Sequence, residues 1–241
     1  DVLNSLYATV EIRASTLKTK EGIEKDYTAF PGIIMMRRPR MLRVYGRVPV
    51  IGTRMFDMVS DGTSFTLYIP SRSVAYKGPN ELRQKSANEI ENMRPGFFLD
   101  AMVLRGLEPD DFYSVTADTE TIEDPQKKHL YSTPEYILSI ERHNPGSRND
   151  TPVRVVTIHR DDLMPYQQDL YDKNGNLETE VFYSRYSNYG NSKYPGVVTI
   201  KRPLEGIQIV MTVEKVVENM PLTDDQFQIK LPEGTKIQQL Q

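Results

Sequence analysis

The 241-residue sequence contains no cysteine, and this absence excludes several classes of protein. Disulfide-stapled scaffolds, cysteine nucleophiles and thiolate metal sites all need that side chain. A basic excess is missing as well, because 30 lysines and arginines stand against 33 acidic residues, for a net charge of −3. A nucleic-acid-binding protein usually shows a clear basic excess or stripe, so we expect no nucleic acid among the partners.

Long apolar runs and catalytic sequence motifs are also missing. No run of the sequence approaches the roughly 20 apolar residues that a membrane-spanning helix needs. There is no glycine-rich phosphate loop and no Gly-x-Ser-x-Gly elbow. The sequence begins at Asp1 rather than Met, so we expect that an N-terminal segment, with any signal peptide or lipidated cysteine, has been removed.

Titratable residues do not form a recognisable site. The three histidines, His129, His143 and His159, lack the spacing of a helical metal pair. His159 opens a short charged cluster that we interpret as a solvated strand end. Adjacent acidic residues such as Asp224 and Asp225 lie in turn-like settings, where they act as caps or solvated charges. We therefore predict no metal, no cofactor and no catalytic residue.

Alternating apolar and polar residues predict an antiparallel β fold. The residues from Leu6 to Thr16 alternate with period two, as do those from Met41 to Val48, which is typical of strands with one buried face. Asp61-Gly62 and Asn174-Gly175 predict two hairpins. Pro31-Gly32 is expected to interrupt a strand. The whole pattern predicts about eleven strands in a single domain that covers residues 1–241.

The middle of the chain changes character and predicts a helical insertion over residues 80–107. Asn80–Met93 is polar and rich in helix formers, whereas Pro95–Leu107 is apolar almost all the way round. Pro95 suits a first helical turn. A helix of the second kind must be covered on nearly all sides, or must face an apolar cavity.

The apolar residues favour a deformable cavity. The sequence has no Trp but has 14 Tyr, 8 Phe and 10 Met. Methionine is flexible and recurs on surfaces that accept variable apolar ligands, although a single Met is more often a core residue. The side chains predicted to line the cavity, subject to strand register, are Leu42, Val44, Met58, Phe65, Leu67, Phe98, Leu99, Met102 and Val103.

Several segments resemble the lipoprotein carrier proteins of the LolA/LolB type. They are MRRP with the arginine-bearing strand after it, MVSDGTSFTLYIPSRSVAYKG, VVTIHRDDLMPYQQDLYDKNGNLETEVFYSRY, PGVVTIKRP and FQIKLPEGTKI. The resemblance runs from about Leu6 to Ile237. It implies a strongly curved antiparallel half-barrel, closed by a helical lid over an apolar cavity for acyl chains. It also implies that Arg38 ties the barrel to the lid, with Arg37 as the alternative.

The predicted function is non-catalytic binding of lipid or lipoprotein acyl chains at the bacterial cell envelope, in lipoprotein transport or sorting. The implied partners are a lipid or an acylated lipoprotein, an envelope protein, and a membrane reached through a lost N-terminal lipid anchor. The implied location is the periplasm, with anchoring to the outer membrane. Two alternatives stay open. One is a structural or partner-binding outer-membrane lipoprotein without lipid cargo, and the other is an envelope hydrolase with two carboxylates in a deep pocket.

Overall fold

A computed structural model describes residues 3–16, 25–26, 28–80, 95–104, 108–124, 129–143, 150–190 and 192–240. In these ranges fifteen strands form one sheet. The strands are β1 Ser5–Thr16, β2 Lys25–Asp26, β3 Phe30–Arg37, β4 Met41–Arg47, β5 Arg54–Ser60, β6 Ser64–Ile69, β7 Val74–Pro79, β8 Asp111–Asp124, β9 His129–Arg142, β10 Thr151–His159, β11 Pro165–Tyr171, β12 Leu177–Tyr189, β13 Ser192–Arg202, β14 Ile207–Glu218 and β15 Lys236–Gln239. Helix α1 covers Gly96–Met102, and two short 3-10 helices cover Pro70–Arg72 and Asp224–Phe227.

The strands follow one path across the sheet: β15-β7-β6-β5-β4-β3-β1-β14-β13-β12-β11-β10-β9-β8, with β2 beside β1. Pairing of β1 with β14 joins the two halves of the chain at the centre. The sheet is open and curled, which confirms the mainly β, strongly curved fold that was predicted. The described residues form fifteen strands where about eleven were expected, and two of them, β2 and β15, have only two and four residues.

The last strand of the chain, β15, lies at one edge of the sheet. β15 pairs with β7, and this pairing is parallel, whereas the other pairings of the described strands are antiparallel. The backbone amide of Leu240 donates to the carbonyl of Lys77 at 2.7 Å and extends the contact by one step.

The expected interruption at Pro31-Gly32 is wrong. β3 runs unbroken from Phe30 to Arg37. Pro31 pairs with Glu11 of β1, while the pairing with β4 begins only at Gly32, so the missing amide hydrogen of proline removes nothing from the β4 ladder. Gly32 leaves room for the side chain of Ile12, since a Cβ at residue 32 would lie 2.6 Å from the Cδ1 atom of Ile12.

Both predicted hairpins are present. The loop between β5 and β6 has three residues, 61–63, rather than the expected two. Asp61 holds it, because its Oδ1 atom accepts hydrogen bonds from the backbone amides of Thr63 and Ser64, both at 2.8 Å. The bond from the Ser64 amide is the main reason why the pKa of the Asp61 carboxyl is lowered. Asp172 accepts two backbone amides in the same way in the loop between β11 and β12.

Helix α1 covers one face of the sheet, called here the inner face. Phe97, Phe98, Ala101 and Met102 of the helix are buried against inward-facing residues of both halves of the sheet. The main sheet residues of this core are Leu6, Val10, Ile34, Leu42, Val44, Met58, Leu67, Val181, Val198, Ile200 and Met211. The core therefore lies between the sheet and the helix.

The outer face carries a second, smaller apolar cluster formed by Ile33, Met35, Leu222 and Phe227. The segment after β14 folds over this face and supplies the last two residues. Beside this cluster Arg43 is buried, although it alternates with the inward residues of β4. Its Nε and Nη2 atoms donate to the two carboxylate oxygens of the fully buried Asp57, at 2.9 and 2.6 Å.

Helix α1 is shorter than the predicted helix Pro95–Leu107. It ends at Met102, and Val103 has an extended backbone. Residues 105–107 lie outside the described residues, as does most of the predicted helix Asn80–Met93, so the helical insertion over 80–107 is described only in part. Within the described ranges, no helix has the length and apolar character needed to span a membrane.

Candidate functional site beside helix α1

The nine predicted cavity residues fall into two groups. Seven side chains are at most 5% exposed and belong to the core beneath α1; they are Leu42, Val44, Met58, Phe65, Leu67, Phe98 and Met102. The other two, Leu99 and Val103, are only partly buried and pack against the edge of that core. The structure thus brings all nine together on the inner face, with most of them in contact with one another and two at the border of open space.

That open space is a cavity of about 600 Å³ between α1 and the ends of β1 and β3, called here the first cavity. Its apolar wall consists of Leu3, Leu6, Met36, Leu99 and Val103. Sequence reasoning missed the first three of these residues. Leu6 and Met36 are cross-strand partners in the β1–β3 ladder, so only the pairing of the two strands could have linked them.

The rim of the first cavity is polar and rich in arginine. Arg38 is exposed, and its Nε atom donates to the Leu3 carbonyl at 2.6 Å. Arg40 lies 3.6 Å from a carboxylate oxygen of Glu108, and both side chains are 53% exposed. The predicted role of Arg38 as a lid tether stays a prediction, because residues 81–94 lie outside the described residues.

Arg37, the alternative tether, serves the outer face of the sheet. Its Nη1 atom donates to the Leu222 carbonyl at 2.7 Å, and its Nη2 atom pairs with Asp224. The guanidinium also lies 5.1 Å above the ring of Phe227. In the described residues Arg37 therefore holds the segment after β14 rather than the helix.

A second cavity of about 610 Å³ lies on the other side of Leu99 and shares Arg40, Leu99 and Glu108 with the first. Its lining is a mixture of polar and apolar residues and joins the two halves of the sheet, since it includes residues of β4 and β5 as well as residues of β8 to β11. Asp111 of β8 accepts two hydrogen bonds from Arg142 of β9, at 3.0 and 2.8 Å. Because residues of β4 and β5 line this cavity together with residues of β8 to β11, the curled sheet brings these two groups of strands close together there.

Two buried polar side chains of the sheet hold the carbonyl groups of α1. The hydroxyl of Tyr194 donates to the Met102 carbonyl at 2.6 Å. The Nε2 atom of Gln168 donates to the Asp100 carbonyl at 2.9 Å and to the hydroxyl of Tyr183 at 3.2 Å. Burial raises the pKa of both tyrosines, so their hydroxyls stay protonated donors. The position of the helix beside the first cavity is thus fixed by the sheet.

In the described part of the chain, no group of three or more His, Asp or Glu side chains could hold a metal ion. His159, predicted to belong to a solvated strand end, is partly buried, and its ring stacks on Tyr166 with centroids 4.2 Å apart. The Tyr166 hydroxyl donates to the buried carboxylate of Glu135. This cluster lies at the junction of β9, β10 and β11, away from both cavities.

No protein-family model matches the sequence, and no curated protein matches it significantly. Solved structures do match the fold. A LolA superfamily protein from Nitrosomonas europaea is 15% identical, with a TM-score of 0.58 over 95% of this chain and 92% of that one. A DUF1329 family protein from Desulfovibrio piger is 16% identical, with a TM-score of 0.57 over 95% and 91%.

A third structure is described as an outer membrane lipoprotein-sorting protein domain and comes from Vibrio parahaemolyticus. It is 10% identical, with a TM-score of 0.50 over 93% of this chain and 89% of that one. At sequence identities this low, the three matches show a similarity of fold. They confirm the predicted LolA-like fold across nearly the whole chain.

Proposed function

We propose that this protein binds the acyl chain of a lipid or lipoprotein, without catalysis, in the first cavity. The observation that carries the proposal is an apolar wall of five side chains beside α1 that ends at a polar rim. A volume of about 600 Å³ falls within the usual range of ligand pockets, roughly 300–1,000 Å³. This arrangement suits a ligand with a long apolar part and a polar head.

The energetics of such binding are favourable. Burial of each methylene group contributes about 0.8 kcal/mol. A chain that buries ten methylenes would gain roughly 8 kcal/mol, against an association cost that starts at about 4 kcal/mol. Chain burial alone is therefore sufficient for useful affinity, and no reactive group is required.

The fold supports a place in the bacterial cell envelope. One matching structure is described as a lipoprotein-sorting domain and another as a LolA superfamily protein. By analogy with these neighbours, we propose a periplasmic location with anchoring to the outer membrane, and a role in lipoprotein transport or sorting. The proposed partners are a lipid or an acylated lipoprotein and an envelope protein.

Binding of a fluorescent fatty acid to delipidated protein tests this proposal. We expect saturable binding, and native mass spectrometry of protein from a bacterial envelope should show a bound mass in the lipid range. Leu99→Gln places an amide in the apolar wall and should weaken binding at least fivefold, because burial of an unpaired amide costs about 1–3 kcal/mol. Leu104→Gln is the matched control, since Leu104 follows on the same segment and is 40% exposed.

A second candidate function is that of a structural or partner-binding lipoprotein without lipid cargo. The observation that favours it is the burial of seven of the nine predicted cavity side chains in a packed core. This candidate would be supported if native mass spectrometry showed only the mass of the protein without a ligand, and if the wild-type protein showed no saturable binding of the fluorescent fatty acid. Equal weakening by Leu99→Gln and Leu104→Gln would also count against binding in the first cavity.

A further inference from the structure

We propose that the first cavity selects amphiphiles with an anionic head group, and that Arg38 and Arg40 bind that head group. This inference rests on the proposed function, to which it adds a class of ligand. The inference starts from the separation of apolar and charged side chains within the cavity. Apolar side chains form the wall, and charged groups lie at one end of it.

The charged residues at this end are mostly of one sign. Among the described residues that line the first cavity, three are arginines, Arg37, Arg38 and Arg40, and one is acidic, Glu108. The guanidinium of Arg37 is engaged on the outer face with Leu222 and Asp224. Of the cations described in this lining, Arg38 and Arg40 are therefore the two available to a bound head group.

Both arginines retain unused hydrogen-bonding capacity. Arg38 donates through Nε to the Leu3 carbonyl, and among the described residues its two terminal nitrogens have no assigned acceptor. Arg40 lies 3.6 Å from Glu108, which is longer than the usual 2.7–2.9 Å of a charge-assisted hydrogen bond. A phosphate or carboxylate presents several oxygens in the geometry that guanidinium groups bind in pairs. It could therefore replace Glu108 as the partner of Arg40.

The backbone positions Arg40 for this role. A Cβ added at Gly62 would lie only 2.5 Å from the Cβ of Arg40, so the base of the arginine side chain rests directly on the turn between β5 and β6. Gly62 also has a φ of +95°, which favours glycine.

The second cavity lacks a similar excess of positive charge among its described lining residues. The charged residues in the described part of its lining are three of each sign, namely Arg40, Arg142, Arg154, Glu108, Asp110 and Asp111.

Displacement of a neutral probe, N-phenyl-1-naphthylamine, by ligands with an apolar chain of the same length tests the inference. The ligands are anionic lysophosphatidylglycerol, neutral monoacylglycerol and cationic hexadecyltrimethylammonium, all below their aggregation concentrations. We expect wild-type protein to bind the anionic ligand about tenfold more tightly than the neutral one, as charge-assisted hydrogen bonds predict. The double variant Arg38→Gln/Arg40→Gln should keep its affinity for monoacylglycerol and lose the preference.

The matched control is Arg72→Gln, which removes one positive charge at an exposed turn outside the cavity and should leave the preference intact. Glycerol 3-phosphate, an anion without a chain, should not displace the probe. Equal affinity of wild-type protein for the anionic and neutral ligands would overturn this inference and leave the proposed function standing. So would a preference that survives in the double variant, or displacement by glycerol 3-phosphate. If none of the three long-chain ligands bound, both the inference and the proposed function would fall.

Discussion

A single hydroxyl group, that of Tyr194, joins the centre of the sheet to the last carbonyl of helix α1. The residue is 8% exposed, and its hydroxyl donates to the Met102 carbonyl at 2.6 Å. Tyr194→Phe removes the donor and keeps the ring, so it leaves a buried carbonyl without its partner. We expect a loss of about 1–3 kcal/mol in the free energy of unfolding, measured by urea denaturation.

The control for that prediction is Tyr113→Phe in β8, where the side chain is 63% exposed. A surface change of this kind should alter stability by less than about 0.5 kcal/mol. Equal effects of the two substitutions would show that the hydrogen bond to α1 contributes nothing specific.

Asp61 should make the first hairpin loop sensitive to acid. Backbone hydrogen bonds, first from Ser64, lower the pKa of its carboxyl below the ordinary value of 3.8. A lowered folded-state pKa means that the stabilisation is complete above the unfolded-state pKa and is lost as pH falls through the folded-state pKa. Asp61→Ala should therefore lower the free energy of unfolding by about 1 kcal/mol at neutral pH, as loss of a similar helix cap does. The difference in stability between this variant and the wild type should become smaller below pH 3.8.

Thermal unfolding of the wild type and Asp61→Ala from pH 7 down to pH 3 provides the measurement. Asp61→Asn, which keeps an acceptor oxygen without the charge, separates the contribution of the charge from that of the hydrogen bonds. A difference that stays constant across this range of pH would contradict the assignment.

Individual residues also show where sequence reasoning stops. Alternation along β4 correctly places Leu42 and Val44 on the inner face, but it gives no sign that Arg43, on the opposite face, is buried. That burial depends on Asp57 in the next strand and on the carbonyl of Gln226, to which Arg43 donates at 2.9 Å. The second partner is 183 positions away in the sequence. No local pattern reports such a contact.

Within the secondary-structure elements, some glycines lie in closely packed surroundings and others face open space. A Cβ at Gly46 in β4 would lie 2.7 Å from both Phe30 and Phe56, whose rings form an edge-to-face pair 5.9 Å apart. Because two rigid rings would have to move, Gly46→Ala should cost about 1–3 kcal/mol in the free energy of unfolding. Gly96→Ala is the matched control, since nothing lies within 4 Å of the added carbon in α1.

Alanine should leave α1 unchanged or stabilise it by up to about 1 kcal/mol, because glycine costs more backbone entropy in a helix. Urea denaturation of the two variants gives the comparison. Destabilisation by Gly96→Ala as large as that by Gly46→Ala would mean that the two rings do not set the cost.

Elements with strong local signals were predictable, and elements defined by long-range pairing were not. The loop at Asn174-Gly175 and the alternation of β1 identify their elements within a few residues. The first cavity needs Leu3, Met36 and Leu99 together, and these residues meet only because β1 pairs with β3 under the helix. The sequence alone does not show which strands pair, so it could not place the first cavity between β1, β3 and the helix. For this reason most of the predicted cavity residues lie in the adjoining core instead.

At the scale of the whole molecule, the sheet carries opposite charge toward its two ends. Residues 28–80, which form β3 to β7, contain eight basic and two acidic residues, a net charge of +6. Residues 108–143, which include β8 and β9, contain three basic and nine acidic residues, a net charge of −6. The two regions meet at Arg40 and Glu108 and around the second cavity. The curled shape therefore places unlike charges against each other.

A charge swap tests this view of the closed shape. Arg40→Glu and Glu108→Arg should each destabilise the protein by placing like charges opposite each other, and the double variant should recover part of the loss. Because both side chains are 53% exposed, the coupling energy from the double-mutant cycle should be less than about 1 kcal/mol. Salt at about 500 mM should reduce it relative to about 20 mM, since exposed charges are screened. A coupling that is absent at low salt, or unchanged at high salt, would mean that packing alone brings the two ends of the sheet together.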